Sequence, residues 1–494
     1  MDTLILAFSN IDIYYMIALA LGTVAGYIIG ALPGFSATMG VAIFVPFSYN
    51  MNPSTAFAFL IALYCSAVFA GSIPAILIRT PGTPAAICTI LDGHPMAKRG
   101  EAGRALGLAC WASVIGGLLS GIILMFSAEL IAKFAIAFGH YEYFMLGILG
   151  LSMVIGMSSD DMVKGLLSMA IGLAIPLVGM DSMNGMPRFT FGNIQLLSGL
   201  QLMPVMIGMF AISEIFISFS KNSGEALPNQ KITNLFSGLK DIVKNKFLIF
   251  KTAIIGTCLG ALPGVGATTA AIIGYNQAKN HSKEKEKMGT GQPEGIIGPE
   301  CANNAVTGGA LIPLLALGIP GDPVTAILLG ALLIHGLQPG PLLFTNNPVL
   351  VNGIYISLMI SYVFILIFSI FSIKLIARLL NIKTSILSAF VLLFCIVGSF
   401  ALRNSYFDVY VALAFGFIGY WMRKEGFPLG PMILALVLGK MIEQKLSGAL
   451  KLSEGSFLPF VTRPISLVLL ICTVFVLVFS VIRIYGFKIK NRRK

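Results

Sequence analysis

Gly260-Ala261-Leu262-Pro263-Gly264, running into Val265-Gly266-Ala267-Thr268-Thr269, decides how this chain is read, because it occurs twice. Near the N-terminus stands Gly30-Ala31-Leu32-Pro33-Gly34, followed by Phe35-Ser36-Ala37-Thr38. The copies lie 230 residues apart in a chain of 494. A second pair keeps the same order. Pro74, then Pro81-Gly82-Thr83-Pro84, recurs as Pro313, then Pro320-Gly321-Asp322-Pro323, at a spacing of 239. A longer polar loop in the second half absorbs the difference. Two motifs in one order, each interrupting an apolar run, imply an internal duplication.

Composition places that duplication in a membrane. Hydrophobic residues make up 56% of the chain and charged residues 11%, with a mean hydropathy of +0.89. A soluble surface of this size needs far more charge. Several uncharged runs are long enough to cross a hydrocarbon core about 30 Å thick. Backbone groups there must be satisfied within the segment, so the expected class is an all-α polytopic membrane protein in a lipid bilayer. Duplicated broken segments in such a protein point to a secondary transporter, with its site where the breaks meet. The net charge of +12 sits in short loops and at the C-terminus, the pattern of cytoplasmic loops, so nucleic acid is not an expected partner. Cys65, Cys88, Cys110, Cys258, Cys301, Cys395 and Cys472 lack CxxC spacing and read as small apolar-run residues. No basic stretch precedes the first apolar run, so no cleaved signal peptide is expected.

Charge also orients the chain. Residues 1–12 carry Asp2 and Asp12 and no Lys or Arg, which puts the N-terminus outside. Residues 247–278 are flanked by Lys240, Lys244, Lys246 and Lys251 before, and by Lys279, Lys283, Lys285 and Lys287 after. Both flanks are then cytoplasmic. Two arms of about 16 residues reach roughly 24 Å each at 1.5 Å per residue, short of two full crossings. We therefore read 247–278, and by the repeat 13–48, as re-entrant hairpins with Pro-Gly tips. One kinked helix or two short crossings is the competing reading.

The first inverted repeat, 1–220, holds hairpin 13–48, broken segment 54–91, and helices over 105–219 near 105–128, 134–157, 164–180 and 197–219. A cytoplasmic linker, 221–246, follows. The second repeat, 247–463, holds hairpin 247–278, broken segment 299–341, and helices over 349–447. An extra helix and basic tail, 464–494, put the C-terminus inside after about 11 net crossings. Lys451 and Arg463 fall outside, against the charge rule. Asp160 and Asp161 read as a helix cap or surface charge.

Each tip carries the same chemistry. Pro33 and Pro263 free carbonyls by removing a donor, and Gly34 and Gly264 let backbone approach a ligand. Ser36 and Thr38, or Thr268 and Thr269, add hydroxyls. Amides at the start of the distal arm suit a carboxylate. Free carbonyls and hydroxyls suit a hard cation such as sodium, for which Gly34, Thr38, Gly264, Thr268 and Glu300 are the candidate ligands. A tight connection without ligand is the plainer reading of one such turn; the duplication favours a site. The second breaks add Thr80, Pro81, Gly82 and Thr83, and Pro320, Gly321 and Asp322, as substrate candidates. Arg79 could pair with an anion or snorkel to an interface. Glu300, Asn303 and Asn304 share a helix face, for cation or substrate contact, or for polar helix packing. The histidines match no metal spacing, no nucleophile has a base beside it, and no Walker motif occurs, so no enzyme activity and no cofactor are expected.

Taken together, the two Gly-Ala-Leu-Pro-Gly motifs, Gly71-Ser72-Ile73-Pro74 with its Pro81–Pro84 turn, Glu300-Cys301-Ala302-Asn303-Asn304, and Gly330–Gly340 resemble the large membrane subunit of the tripartite tricarboxylate transporter family over essentially the whole chain. The resemblance implies a bacterial inner-membrane importer of citrate, other tricarboxylates, dicarboxylates or aromatic acids, driven by symport with sodium or protons. It implies a small four-helix membrane subunit and a periplasmic substrate-binding protein as partners. A second copy of the chain is a further candidate partner. Arg79 and Asp322 depart from the residues expected at those positions. They could pair with each other or alter substrate choice, which puts plain citrate specificity in doubt.

Overall fold

The computed structural model describes residues 2–157, 162–181, 184–220, 235–379 and 384–492. Asp160 and Asp161, the first part of the expected linker (221–234) and Lys383 lie outside them. The described chain is almost wholly helical; one two-residue antiparallel pairing, Gly179–Met180 with Pro187–Arg188, interrupts it. The all-α reading therefore holds.

The first half opens with α1 (Ile13–Ala31) and α2 (Ala37–Ser48), joined by the Leu32–Ser36 turn. Asp12 and Ser36 cap the two helices, their side chains accepting from Tyr15 and Met39 N–H. Next come α3 (Pro53–Ala70), α4 (Ser72–Ile78), α5 (Ile87–Met96) and α6 (Ala102–Ala135). Gly71 and Pro74 split α3 from α4 because Pro74 cannot donate back to the preceding turn. The equivalent Pro313 stays inside a continuous helix, where position 310 is Ala rather than Gly. α7 (His140–Met157) and α8 (Met162–Ala174) follow, and the half closes on α9 (Leu202–Met206), a π-helical stretch Ile207–Ile212, and α10 (Ser213–Ser220).

The second half also opens on two helices joined at a Pro-Gly turn. α11 (Lys246–Gly260) and α12 (Gly266–His281) form a hairpin; α13 (Glu294–Leu317) and α14 (Pro323–Ile334) flank the second break. α15 (Pro348–Leu379), α16 (Thr384–Ala401), α17 (Tyr406–Lys424), α18 (Leu429–Leu452) and α19 (Pro464–Arg492) complete the chain. α6 is longer than the expected 105–128: it runs unbroken to Ala135, so its turn into α7 falls at 136–139. Among the described residues, four stretches are long and apolar enough to cross a membrane: Ile13–Ala31, Pro53–Ile78, Pro84–Ala135 and Pro348–Phe371.

Packing at the centre rests on glycine. In α1, Gly26 and Gly30 lie so close to α3 that an added Cβ would stand 2.2 Å from the Leu63 and Ala67 carbonyls. In the second half Gly256 meets the Ala302 carbonyl at 2.2 Å, and Gly260 the Val306 carbonyl at 2.7 Å. Each glycine is displaced by 230 and each partner by 239, the spacings of the two motifs. Small residues one turn apart let the helices come this close, and dispersion replaces a hydrophobic force that lipid does not supply. The long helices then pair across the halves: α3 packs on α15 of the second half, and α13 packs on α6 of the first. Their shared core is fully buried around Tyr64, Phe69, Leu106, Leu314 and Tyr362.

Candidate substrate site

Each tip is tied to the break of its own half. Gly82 sits over the Gly30 carbonyl, where a Cβ would lie at 2.1 Å; Gly321 sits over the Gly260 carbonyl, with 2.2 Å. Gly264 N–H donates to the Gly321 carbonyl at 2.9 Å. Each distal hairpin arm then packs on the segment that follows the other half's break: α2 on α14, and α12 on the Pro84–Ala86 turn. The two tip-and-break units are thus linked through their distal arms.

Exposure grades across the candidate residues. Gly34, Arg79 and Thr80 are exposed; Pro33, Ser36, Thr38, Pro81, Pro263, Gly264, Thr268 and Thr269 are half-buried; Gly82, Thr83, Asn303, Asn304, Pro320, Gly321 and Asp322 are buried. The tips are not equivalent. Ser36 already spends its hydroxyl on Met39 N–H at 3.1 Å. The matching position in the second tip is Gly266, and α12 has no side-chain cap. Its first amides carry no side-chain cap, which makes the second tip the better carboxylate cradle.

The structure divides the polar stripe of α13. Asn304 is a helix-packing residue: its Nδ2 donates to Ser113 Oγ at 2.8 Å and to the Glu300 carbonyl at 3.1 Å. Tyr362 donates its hydroxyl to the Asn304 carbonyl at 3.0 Å and shares a 2.8 Å bond with Thr307. Asn303 is different. It is 1% exposed, and neither its Oδ1 nor its Nδ2 has a partner. Thr83 Oγ1 is buried without a partner as well. By the 239-residue spacing, Asn303 matches Tyr64, and Thr83 matches Asp322. Tyr64 and Asp322 satisfy each other: the Tyr64 hydroxyl donates to Asp322 Oδ2 at 2.7 Å across the two halves. One of the two related places is closed by a protein hydrogen bond. At the other, an amide and a hydroxyl stay open in a region where an unpaired buried polar group costs about 1–3 kcal/mol.

Three of the other candidates are placed apart. Asp322 does not meet Arg79. Its carboxylate caps α14, taking Thr325 N–H at 2.7 Å, and holds Tyr64. Arg79 is exposed, with no ion-pair partner among the described residues. It is the left-handed C-cap of α4, at φ 58°, and its counterpart is Gly318 at φ 72°. Glu300 does not reach the tips either. The second tip packs at the level of Ala310, about 15 Å further along α13 at 1.5 Å per residue. Glu300 instead accepts from Thr89 and, at 3.3 Å, from Ser113.

Several residues of this region were not legible as candidates: Tyr64, Thr89, Asp92, Ser113 and Tyr362. Asp92 is fully buried, and its Oδ1 takes the Gly289, Gly291 and Gln292 N–H groups at 2.7–2.9 Å while Oδ2 takes the Tyr275 hydroxyl at 2.9 Å. It pins the basic 282–293 loop to α5. A lone acid in the Leu91-Asp92-Gly93-His94-Pro95 run was its only signal. A cavity of about 590 Å³ lies elsewhere, lined by Tyr49, Gln201, Gly330, Arg403 and Lys440 among others, and holds none of the tip or break candidates.

Known proteins match over nearly the whole chain. The model of the tripartite tricarboxylate transporter TctA family covers residues 16–434. An uncharacterized 52.8 kDa protein in the TAR-I ttuC' 3' region of Agrobacterium vitis is 34% identical over 449 residues, 91% of this chain and 89% of that protein. An uncharacterized protein in the TAR-II ttuC' 3' region of the same organism is 37% identical over 230 residues, 46% of this chain and 95% of that protein. No solved structure matches. With a family model spanning both tips and both breaks, and a full-length relative at this identity, the chain belongs to the tripartite tricarboxylate transporter TctA family.

Proposed function

We propose that this chain is the transport subunit of a binding-protein-dependent secondary importer in the bacterial inner membrane. It carries tricarboxylates or related organic acids by symport with a cation. The observation that carries the reading is the pair of tip-and-break units linked across the halves, with Asn303 and Thr83 left open and with no side-chain cap at the helix start of the second tip. Free amides, an amide side chain and hydroxyls bind carboxylates without a fixed counter-charge, so substrate can leave as well as enter. Arg79, at the exposed edge, adds attraction for anions.

In this reading the halves are inverted repeats, 1–220 and 247–463, joined by the cytoplasmic linker 221–246 and followed by the extra helix and tail, 464–494. The hairpins enter from opposite faces, about 11 net crossings leave the N-terminus outside and the C-terminus inside, and the tip-and-break units move as one body against the remaining helices. The partners are a small four-helix membrane subunit and a periplasmic binding protein. The coupling cation is sodium or a proton; sodium would bind at the tips, through the Gly34 and Gly264 carbonyls and the Thr38 and Thr268 hydroxyls.

The test is uptake of radiolabelled citrate, and then of dicarboxylic and aromatic acids, into vesicles holding this chain and its small partner. It is run with and without an ion gradient and with and without the binding protein. Uptake requiring both supports the reading. Uptake without the binding protein makes the chain a self-sufficient carrier, and no uptake of any acid overturns the proposal.

A further inference from the structure

Glu300 is a carboxyl group that the tip site leaves unused. It lies in α13, 1% exposed, and its carboxyl hydrogen bonds run to the opposite half of the molecule. The Thr89 hydroxyl on α5 donates to Oε1, and Ser113 on α6 donates to Oε2 at 3.3 Å. The matching position in the first half is Ile61, so the acid exists in one copy of the repeat only. A structural acid at a helix junction would be expected to meet a base, because a bare buried charge is costly. None is present among the described residues: Glu300 forms no ion pair.

The other titratable groups on the surrounding helices do not supply one: His94 on α5 is bonded through Nδ1 to the Ile76 carbonyl, and Arg104 on α6 pairs with Glu101 and Asp241. Cys88 on α5 and Cys110 on α6 are buried thiols. Asp92 on α5 is saturated by backbone amides and Tyr275 of α12. Tyr362 on α15 is bonded to Asn304 and Thr307. Lys251 on α11 is exposed. No group of three or more acidic, His or Cys side chains forms a metal cage among the described residues. The backbone around Glu300 is helix in which Pro299 leaves only the Gly295 carbonyl without its usual donor, whereas a hard cation needs about six oxygens.

We propose that Glu300 is a proton-binding site of this transporter, distinct from the tip site, and that the proton it carries is the coupling ion. Hydroxyl partners fit this role. Thr89 and Ser113 can donate to a carboxylate, and either can accept from the same group when it is protonated, so both states are held without repacking. Because donor and acceptor sit on opposite halves, gain or loss of the proton changes the contact between them, which is where alternating access needs a switch. The inference rests on the symport reading and assigns its cation, removing Glu300 from the sodium set.

Two measurements test it. The first is infrared titration of the purified chain across pH. The wild type minus Glu300→Gln difference spectrum is expected to contain a protonated-carboxyl band that disappears as pH rises, and the band should shift in Thr89→Val, which loses a hydrogen-bond partner. Only carboxylate bands at every pH would overturn the proposal. The second is acid uptake in vesicles holding the chain with its partners. Glu300→Gln should lose accumulation driven by a proton gradient, and its residual exchange should become independent of pH. Retained proton-driven accumulation in that variant would also overturn it. Absence of uptake in the wild type strikes the transport reading, and the infrared titration then still decides Glu300.

Discussion

Asn303 and Thr83 are the residues on which the site reading turns. Asn303→Leu fills an open polar position with apolar bulk. It should reduce acid uptake by at least about tenfold, the cost of leaving a substrate group unpaired, with little loss of thermal stability. A strongly destabilised variant with normal transport would show that Asn303 is a packing residue whose partner is simply a buried water. Arg79 makes the opposite kind of prediction. A non-Gly residue at φ 58° bears roughly 1–2 kcal/mol of strain, and its counterpart in the other half is Gly318. Arg79→Gly should therefore raise the melting temperature in detergent while raising KM for the acid. Strain kept where glycine would relieve it is what a functional side chain looks like. Asp322, by contrast, is accounted for by capping α14 and holding Tyr64. Tyr64→Phe leaves that buried carboxylate one donor short and should cost about 1–3 kcal/mol of stability, read by thermal unfolding beside wild type.

At the level of elements, the glycine rows of α1 and α11 hold the hairpins against α3 and α13. A Cβ at Gly26 would meet both the Ser66 hydroxyl and the Leu63 carbonyl within 2.2 Å, and the carbonyl is backbone that cannot step aside. Gly26→Ala should therefore destabilise by about 1–3 kcal/mol, the usual cost of overpacking, and Gly256→Ala should do the same through the Ala302 carbonyl. Matching losses would tie the two hairpins to one packing plan; a neutral Gly256→Ala would break the equivalence. Pro263→Ala with Gly264→Ala acts on another property of the same element. Gly264 holds φ 83° and its N–H holds Gly321, so the double variant should insert in the membrane and lose uptake. Full uptake by it would remove the second tip from the site.

For the whole molecule the decisive property is inversion. In a background lacking the exposed Cys258 and Cys472, single cysteines at Asn50 and Glu284, both exposed at the bases of their hairpins, should react with an impermeant thiol reagent from opposite faces of the membrane. Labelling from the same face would rule out inverted halves. Arg463, which the expected topology puts outside against the charge rule, is paired in the structure, as are Arg188 and Arg403. Arg463 pairs with Glu142 at 2.9 Å, Arg188 with Glu443 at 2.5 Å, and Arg403 with Asp408 at 2.6 Å. Lys451, in the same loop as Arg463, has no ion-pair partner among the described residues, so that loop still opposes the expected topology.

Helix class, the order of elements and the two paired breaks were legible in the sequence, because they depend on local physics. Backbone in hydrocarbon must close its own hydrogen bonds, and Pro and Gly interrupt that closure wherever they stand. Repetition at fixed spacing made the interruptions stand out from ordinary turns. Which polar residues stay open was decided only by tertiary structure. Asn303 and Asn304 are neighbours in sequence, yet a helix turns them about 100° apart, so one meets Ser113 while the other meets nothing. Glu300 shares their helix face in sequence, but its partners come from α5 and α6, about 190 to 210 residues away along the chain. Satisfaction of a buried group depends on what the rest of the molecule brings to it, and no local pattern carries that information.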